Sequence, residues 1–134
     1  MGSTDVDTVR AALRKHWSLR SSTLWRADNP ALGQCGVSAL VAWEILGGQI
    51  AKTRYGDLWH FYNVIDGQRV DFTDSQFDAP IGYDDVPSNR EEAFGDTNAA
   101  QYGYLSGAVR AELAHGPAPG RDKQAADSSG GTTP

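Results

Sequence analysis

The order of elements along this chain predicts an α+β protein. Two helical stretches come first, then several short strands, then a closing helix, so helices and strands are segregated rather than alternating. Three observations carry the prediction. An apolar helical run lies at about 34–46, a strong two-residue hairpin signal lies at Asp66-Gly67, and helical spacing returns from Asn98 to about Ala114.

Ser3 or Thr4 can cap a first helix over about Asp5 to Ser18, with Val6, Val9, Leu13 and Trp17 on one stripe and acids in the first turn. A polar stretch from Arg20 to Pro30 reads as a loop that holds Trp25 against something apolar. Pro30 and Gly33 lead into the second helix, Gln34 to Leu46. It is apolar nearly all round, as a buried central helix would be, and Gly47-Gly48 ends it. Strands are expected at Gln49–Tyr55, Trp59–Ile65 and Gln68–Thr73, the last two joined by the Asp66-Gly67 turn. Residues 74–97, with Pro80, Pro87 and several aspartates, read as mostly irregular.

The chain of 134 residues is long enough for one domain with a real core, placed at residues 1–115. Residues 116–134 are rich in Gly, Ser, Ala, Asp and Pro and lack aromatic or branched apolar side chains, so they are expected to be a disordered tail. A formal charge of −5 with scattered Lys and Arg argues against a nucleic-acid binder. No apolar run approaches the roughly 20 residues needed to cross a bilayer, and the N-terminus lacks the features of a signal peptide. The single cysteine, Cys35, excludes an intrachain disulfide and a Cys-rich zinc module, and fits a reducing, cytoplasmic setting.

Cys35 stands at the start of the apolar helix, within Gly33-Gln34-Cys35-Gly36. A helix N-terminus and a nearby imidazolium both favour thiolate, so a thiol pKa below the free value is expected. Gly33 and Gly36 leave the backbone beside the thiol uncrowded for a substrate carbonyl. The hairpin register then selects the thiol's partners. With Asp66-Gly67 as the turn, Ile65 faces Gln68, Val64 faces Arg69, Asn63 faces Val70 and Tyr62 faces Asp71. His60, Tyr62, Asp71 and Thr73 share one sheet face, with His60 and Asp71 as diagonal neighbours about 7–8 Å apart at the backbone. Asp74 points the other way.

The expected catalytic set is therefore Cys35, His60 and Asp71. The Cys35 amide is one oxyanion donor, and Gln34 or Asn29 is the candidate for a second. Trp25, Trp59 and Tyr62 are the candidate substrate-binding aromatics. Zinc on Cys35, His60 and Asp71 matches no familiar ligand spacing, and no nucleotide loop is present, so neither metal nor cofactor is expected.

Trp25, Asn29-Pro30, Gly33-Gln34-Cys35, Ala39-Leu40, Leu46-Gly47-Gly48, His60-Phe-Tyr-Asn63, Asp66-Gly67 and Val70-Asp71-Phe72-Thr73 with Gln76-Phe77 resemble the small YunG-like bacterial proteins. The resemblance covers roughly residues 17–110. It implies a papain-like or transglutaminase-like core, with a thiol-bearing helix packed on a small antiparallel sheet that carries His and Asp. The implied activity is thiol-dependent acyl transfer, as an amidase, deamidase, peptidase or amide-forming transferase. A small amide or thioester, or a particular protein partner, is the expected substrate. The competing expectation is a non-catalytic binding module that uses the same cleft.

Overall fold

The computed structural model describes residues 5–115; the expected tail and the expected caps Ser3 and Thr4 lie outside them. Four α-helices and a four-stranded antiparallel sheet make up the described residues. In chain order these are α1 (Val6–His16), α2 (Cys35–Leu46), β1 (Gln49–Tyr55), β2 (Leu58–Ile65), β3 (Gln68–Val70), a 3₁₀ turn (Asp74–Gln76), β4 (Val86–Ser88), α3 (Arg90–Gly95) and α4 (Ala99–His115).

Helix α1 is capped by Asp5, whose carboxylate accepts from the Thr8 amide at 2.9 Å. Its stripe of Val9, Ala12 and Leu13 is buried, and Trp17 closes the end, its indole N–H donating to Ser38 Oγ at 2.9 Å. Helix α2 is central. One side meets α1 and α4 through Val37 and Val41, with Leu105 and Val109 opposite. The other side lies on the sheet through Ala39 and Leu40, against Ile50 and Phe61. A helix enclosed by two layers has no face to give to water, which is why its sequence lacks an amphipathic stripe. Gly47 caps it at φ +79°, and at the next residue, Gly48 (φ +78°), a Cβ would lie 2.3 Å from the Val64 carbonyl oxygen, so a side chain there is excluded twice over.

The sheet order is β3-β2-β1-β4. Asp66 (φ 53°) and Gly67 (φ 78°) form the two-residue turn, and the pairs Ile65–Gln68, Val64–Arg69 and Asn63–Val70 are those the turn dictates. Pairing stops there. β3 is three residues long, and Asp71 to Thr73 leave the ladder for the 3₁₀ turn, so the expected strand is shorter than its alternation suggested.

The larger correction concerns residues 74–97. They supply the edge strand β4, the short helix α3 and a segment, 77–85, that covers the second face of β2. Phe77 packs edge-on against His60 at 4.9 Å between ring centroids, and Tyr83 packs edge-on against Tyr62 at 4.9 Å. The Tyr62 hydroxyl is locked to Asp85 at 2.9 Å, and the Asp84 amide donates to Thr53 Oγ1 at 2.8 Å. With α2 on one face and this segment on the other, β2 is buried on both sides. Among the described residues, no helix is long and apolar enough to cross a membrane.

Candidate active site

Position along β2 sets the imidazole, and the hairpin sets its partner. His60 Nε2 lies 2.6 Å from Asp71 Oδ2, with both residues buried. Asp71 is held by its own surroundings: its Oδ1 accepts from the Thr73 amide at 3.1 Å, and its Oδ2 also accepts from the Tyr83 hydroxyl at 2.8 Å. Burial by itself would raise this carboxyl's pKa. The His60 hydrogen bond and charge, with the Tyr83 and Thr73 bonds, outweigh burial and hold it below the usual carboxylate range. An ionised Asp71 accepts only, so the imidazole proton is assigned to Nε2. The Nδ1 atom has no hydrogen-bond partner among the described residues.

A depressed carboxyl pKa ties stability to pH with a definite sign. The stability contributed by ionised Asp71 is fully present above the ordinary value of 3.8 and is lost as pH falls through the lower folded value. The melting-temperature advantage of the wild-type chain over Asp71→Asn is therefore expected to hold at mildly acidic pH and shrink only below that ordinary value. An advantage that already fades on acidifying from pH 7 to about 5 would contradict it.

Cys35 begins α2 half-buried, and Cys35 and His60 both line one cleft of about 850 Å³. The Cys35 amide has no intrahelical acceptor and no other acceptor among the described residues, as expected of a first-turn amide. The thiol, however, does not hydrogen-bond His60. Its S–H donates to Asp96 Oδ2 at 3.5 Å, and the Gly36 amide donates to the same oxygen at 3.1 Å. This reverses the expected thiol pKa. Desolvation, then the Asp96 charge, push the Cys35 thiol up to about 12, although the Phe61 amide pulls the other way. Asp96 is itself raised, mainly by burial of its carboxyl, despite the Cys35 and Gly36 bonds.

The glycines beside the thiol are filled spaces rather than open ones. A Cβ on Gly36 would lie 2.4 Å from Asp96 Oδ2, and one on Gly33 would lie 2.5 Å from Ser22 Oγ. Neither gives a clear approach for a substrate carbonyl. The expected side-chain oxyanion donors are also elsewhere. Asn29 Nδ2 donates to the Gln76 carbonyl at 3.1 Å, tying two loops, and Asn29 does not line the cleft. Gln34 is fully buried with both amide atoms unpartnered among the described residues, and it too is absent from the cleft wall.

Of the three expected aromatics, only Trp59 reaches the cleft, where Lys52 Nζ and the Arg54 guanidinium carbon lie 4.4 and 4.3 Å from its ring centre. Trp25 is a packing residue on the helical core. Tyr62 is 1% exposed and bound to Asp85, because segment 77–85 closes over its face. The cleft mouth is instead apolar. Leu24, Tyr55 and Leu58 are 59%, 49% and 70% exposed there. The sequence reading missed Asp96 and Tyr83. Both sit in stretches that read as turns, and no local pattern links either to groups 61 and 12 residues away.

The fold and cleft thus define a small α+β protein in which a helix-start thiol shares a cleft with a buried imidazole–carboxylate pair. The YunG protein family model matches residues 5–114, and the chain belongs to that family. A relative described as "Uncharacterized protein YunG", from Bacillus subtilis (strain 168), is 51% identical over 100 residues, which span 75% of this chain and 87% of the relative. No solved structure matches the chain.

Proposed function

We propose that this protein is a thiol-dependent acyl-transfer enzyme with a papain-like arrangement of its core. The single observation that carries the reading is the buried His60–Asp71 pair, with Nε2 taken by Asp71, Nδ1 without a hydrogen-bond partner among the described residues, and His60 lining the same cleft as Cys35. A buried, oriented imidazole that shares a cleft with a helix-start thiol suits a base and its nucleophile.

The thiol's high pKa decides how the step runs. A sulfur that stays protonated at neutral pH cannot attack as a preformed thiolate, so His60 acts as general base as the bond forms. Cys35 Sγ attacks the carbonyl carbon of an amide, ester or thioester, and His60 takes the thiol proton. The amide of Cys35 supports the oxyanion. His60 then returns the proton to the leaving group, and water or an amine releases the acyl group from sulfur. The apolar mouth of Leu24, Tyr55 and Leu58 favours a small substrate with an apolar acyl portion. The lone thiol fits a reducing compartment such as the cytoplasm. The same raised thiol pKa favours a second reading, a ligand-binding cleft without chemistry.

One experiment separates them. The full chain is treated with p-nitrophenyl acetate at neutral pH and analysed by intact-mass and peptide mass spectrometry. An acetyl adduct is expected on Cys35, absent from Cys35→Ala and formed about 100-fold more slowly in His60→Ala, the low end of the range for general-base catalysis. An adduct that forms as fast without His60, or none at all, removes the acyl-transfer reading.

A further inference from the structure

We infer that Asp96 is a carboxylate latch on Cys35, its Oδ2 occupying the place that the acyl oxygen of a bound substrate takes. This rests on the acyl-transfer reading and adds a control to the same site. The geometry is specific. One oxygen touches the thiol at 3.5 Å and the Gly36 amide at 3.1 Å. An acyl oxygen must lie beside the attacked carbon, hence beside the sulfur, and within reach of amides at the helix start. The two positions coincide, so Gly36 becomes the second oxyanion donor once Asp96 leaves, in place of Gln34 or Asn29.

Gly36 is the seat of the latch. Its missing Cβ leaves room that Asp96 fills, since a methyl group there would lie 2.4 Å from Oδ2 and 2.6 Å from the Asp96 Cβ. Asp96 can also leave. It caps α3 on the short link to α4, is exposed as a residue even though its carboxyl is turned to the thiol, and forms no salt bridge among the described residues.

Electrostatics gives the latch its effect. The charged and titratable groups around the sulfur are Asp96 on the α3–α4 link, His60 on β2 and Asp71 after β3, with Lys52, Asp57 and Glu92 further along the cleft wall. Lys52 is already paired with Glu92 at 3.0 Å. Asp96 is the acid in contact with the thiol, and a carboxylate there opposes thiolate formation. A neutral acyl oxygen in its place removes that opposition, and the thiol proton passes to His60. Substrate binding and nucleophile activation thereby become one event.

The test is iodoacetamide alkylation of Cys35 across pH in the full chain, followed by intact mass. Wild type is compared with Asp96→Asn, which removes the charge, and with Gly36→Ala, which displaces the carboxylate without altering it. Both variants are expected to alkylate at least about tenfold faster at pH 7.5, with the pH midpoint lowered by about one unit or more. Circular dichroism melts confirm that each variant is folded. Unchanged or slower alkylation in folded Asp96→Asn overturns the latch. The acetyl-adduct assay keeps the two claims apart. Adduct formation that depends on His60, together with alkylation indifferent to Asp96, overturns the latch and leaves the acyl-transfer reading standing. Faster alkylation in both variants, with no adduct from any of them, supports Asp96 as the control on the thiol and removes the acyl-transfer reading.

Discussion

Asp71→Asn is expected to lower Cys35 acylation by on the order of 10³–10⁴-fold while the chain stays folded, by the serine-triad precedent. The reason lies in what Oδ2 accepts. The His60 Nε2–H and the Tyr83 hydroxyl both converge on that oxygen, at 2.6 and 2.8 Å. An asparagine is nearly the same shape and can still accept from the Thr73 amide through its oxygen, so the local turn survives. Its amide nitrogen then faces two donors. The imidazole must shift its proton to Nδ1 to avoid the clash of donors, and the nitrogen needed to receive the thiol proton is no longer a base. Rotating the asparagine to offer oxygen to His60 instead strands the Thr73 amide in a buried position. Asp74→Asn is the matched comparison. Asp74 is exposed in the 3₁₀ turn beyond the end of the ladder and makes no hydrogen bond to His60, so its loss should change the rate by less than about threefold. Measuring acetyl-adduct formation in the two variants side by side is decisive. A larger loss in Asp74→Asn than in Asp71→Asn would sink the proposed triad.

Phe72→Ala is expected to be the most damaging change to the fold next to the site, costing about 3–5 kcal/mol of unfolding free energy. Phe72 is 2% exposed and belongs to the core formed with Leu13, Val37, Val41, Leu105 and Val109, where α1, α2 and α4 meet. Removing the ring leaves a cavity that three helices must close together, so relaxation is limited. The Arg10 guanidinium lies 5.1 Å from the ring centre and donates to the Asp71 carbonyl oxygen at 3.3 Å, so the loss also loosens the residue that holds His60. Urea unfolding monitored by tryptophan fluorescence measures the cost. Leu24→Ala, at a side chain 59% exposed on the cleft mouth, should stay within about 0.5 kcal/mol of wild type. A cost below about 1 kcal/mol for Phe72→Ala would mean that the ring is not part of a close-packed core.

Much of the scaffold was readable because its causes are local. β1 runs over Gln49–Tyr55 as its weak alternation suggested, and α2 begins one residue after Gln34. The Asp66-Gly67 turn fixed the register of β2 on β3, and through it the meeting of His60 with Asp71. A turn needing positive φ at two successive positions leaves few alternatives, and a period-two strand converts register directly into face. The positions of Cys35 at a helix start and of Asp71 beside His60 are in this sense properties of the sequence itself.

The thiol's environment was decided elsewhere. Nothing in Gly33-Gln34-Cys35-Gly36 announces that Asp96, 60 residues beyond Gly36, fills the space beside it. That contact exists because α3 and α4 pack against α2 and bring their link to its first turn; burial first, and then the Asp96 charge, raise the thiol pKa where a helix start by itself would lower it. Likewise, the alternation of β2 shows that His60 and Tyr62 share a face but not what covers it. Segment 77–85 does so through Phe77 and Tyr83, burying Tyr62, so that of the three expected aromatics Trp59 is the one that lines the cleft. Secondary structure and hairpin register follow from neighbours a few residues apart. The charge beside a nucleophile and the lid over a sheet face depend on which distant loops the core brings together, and only tertiary packing sets those.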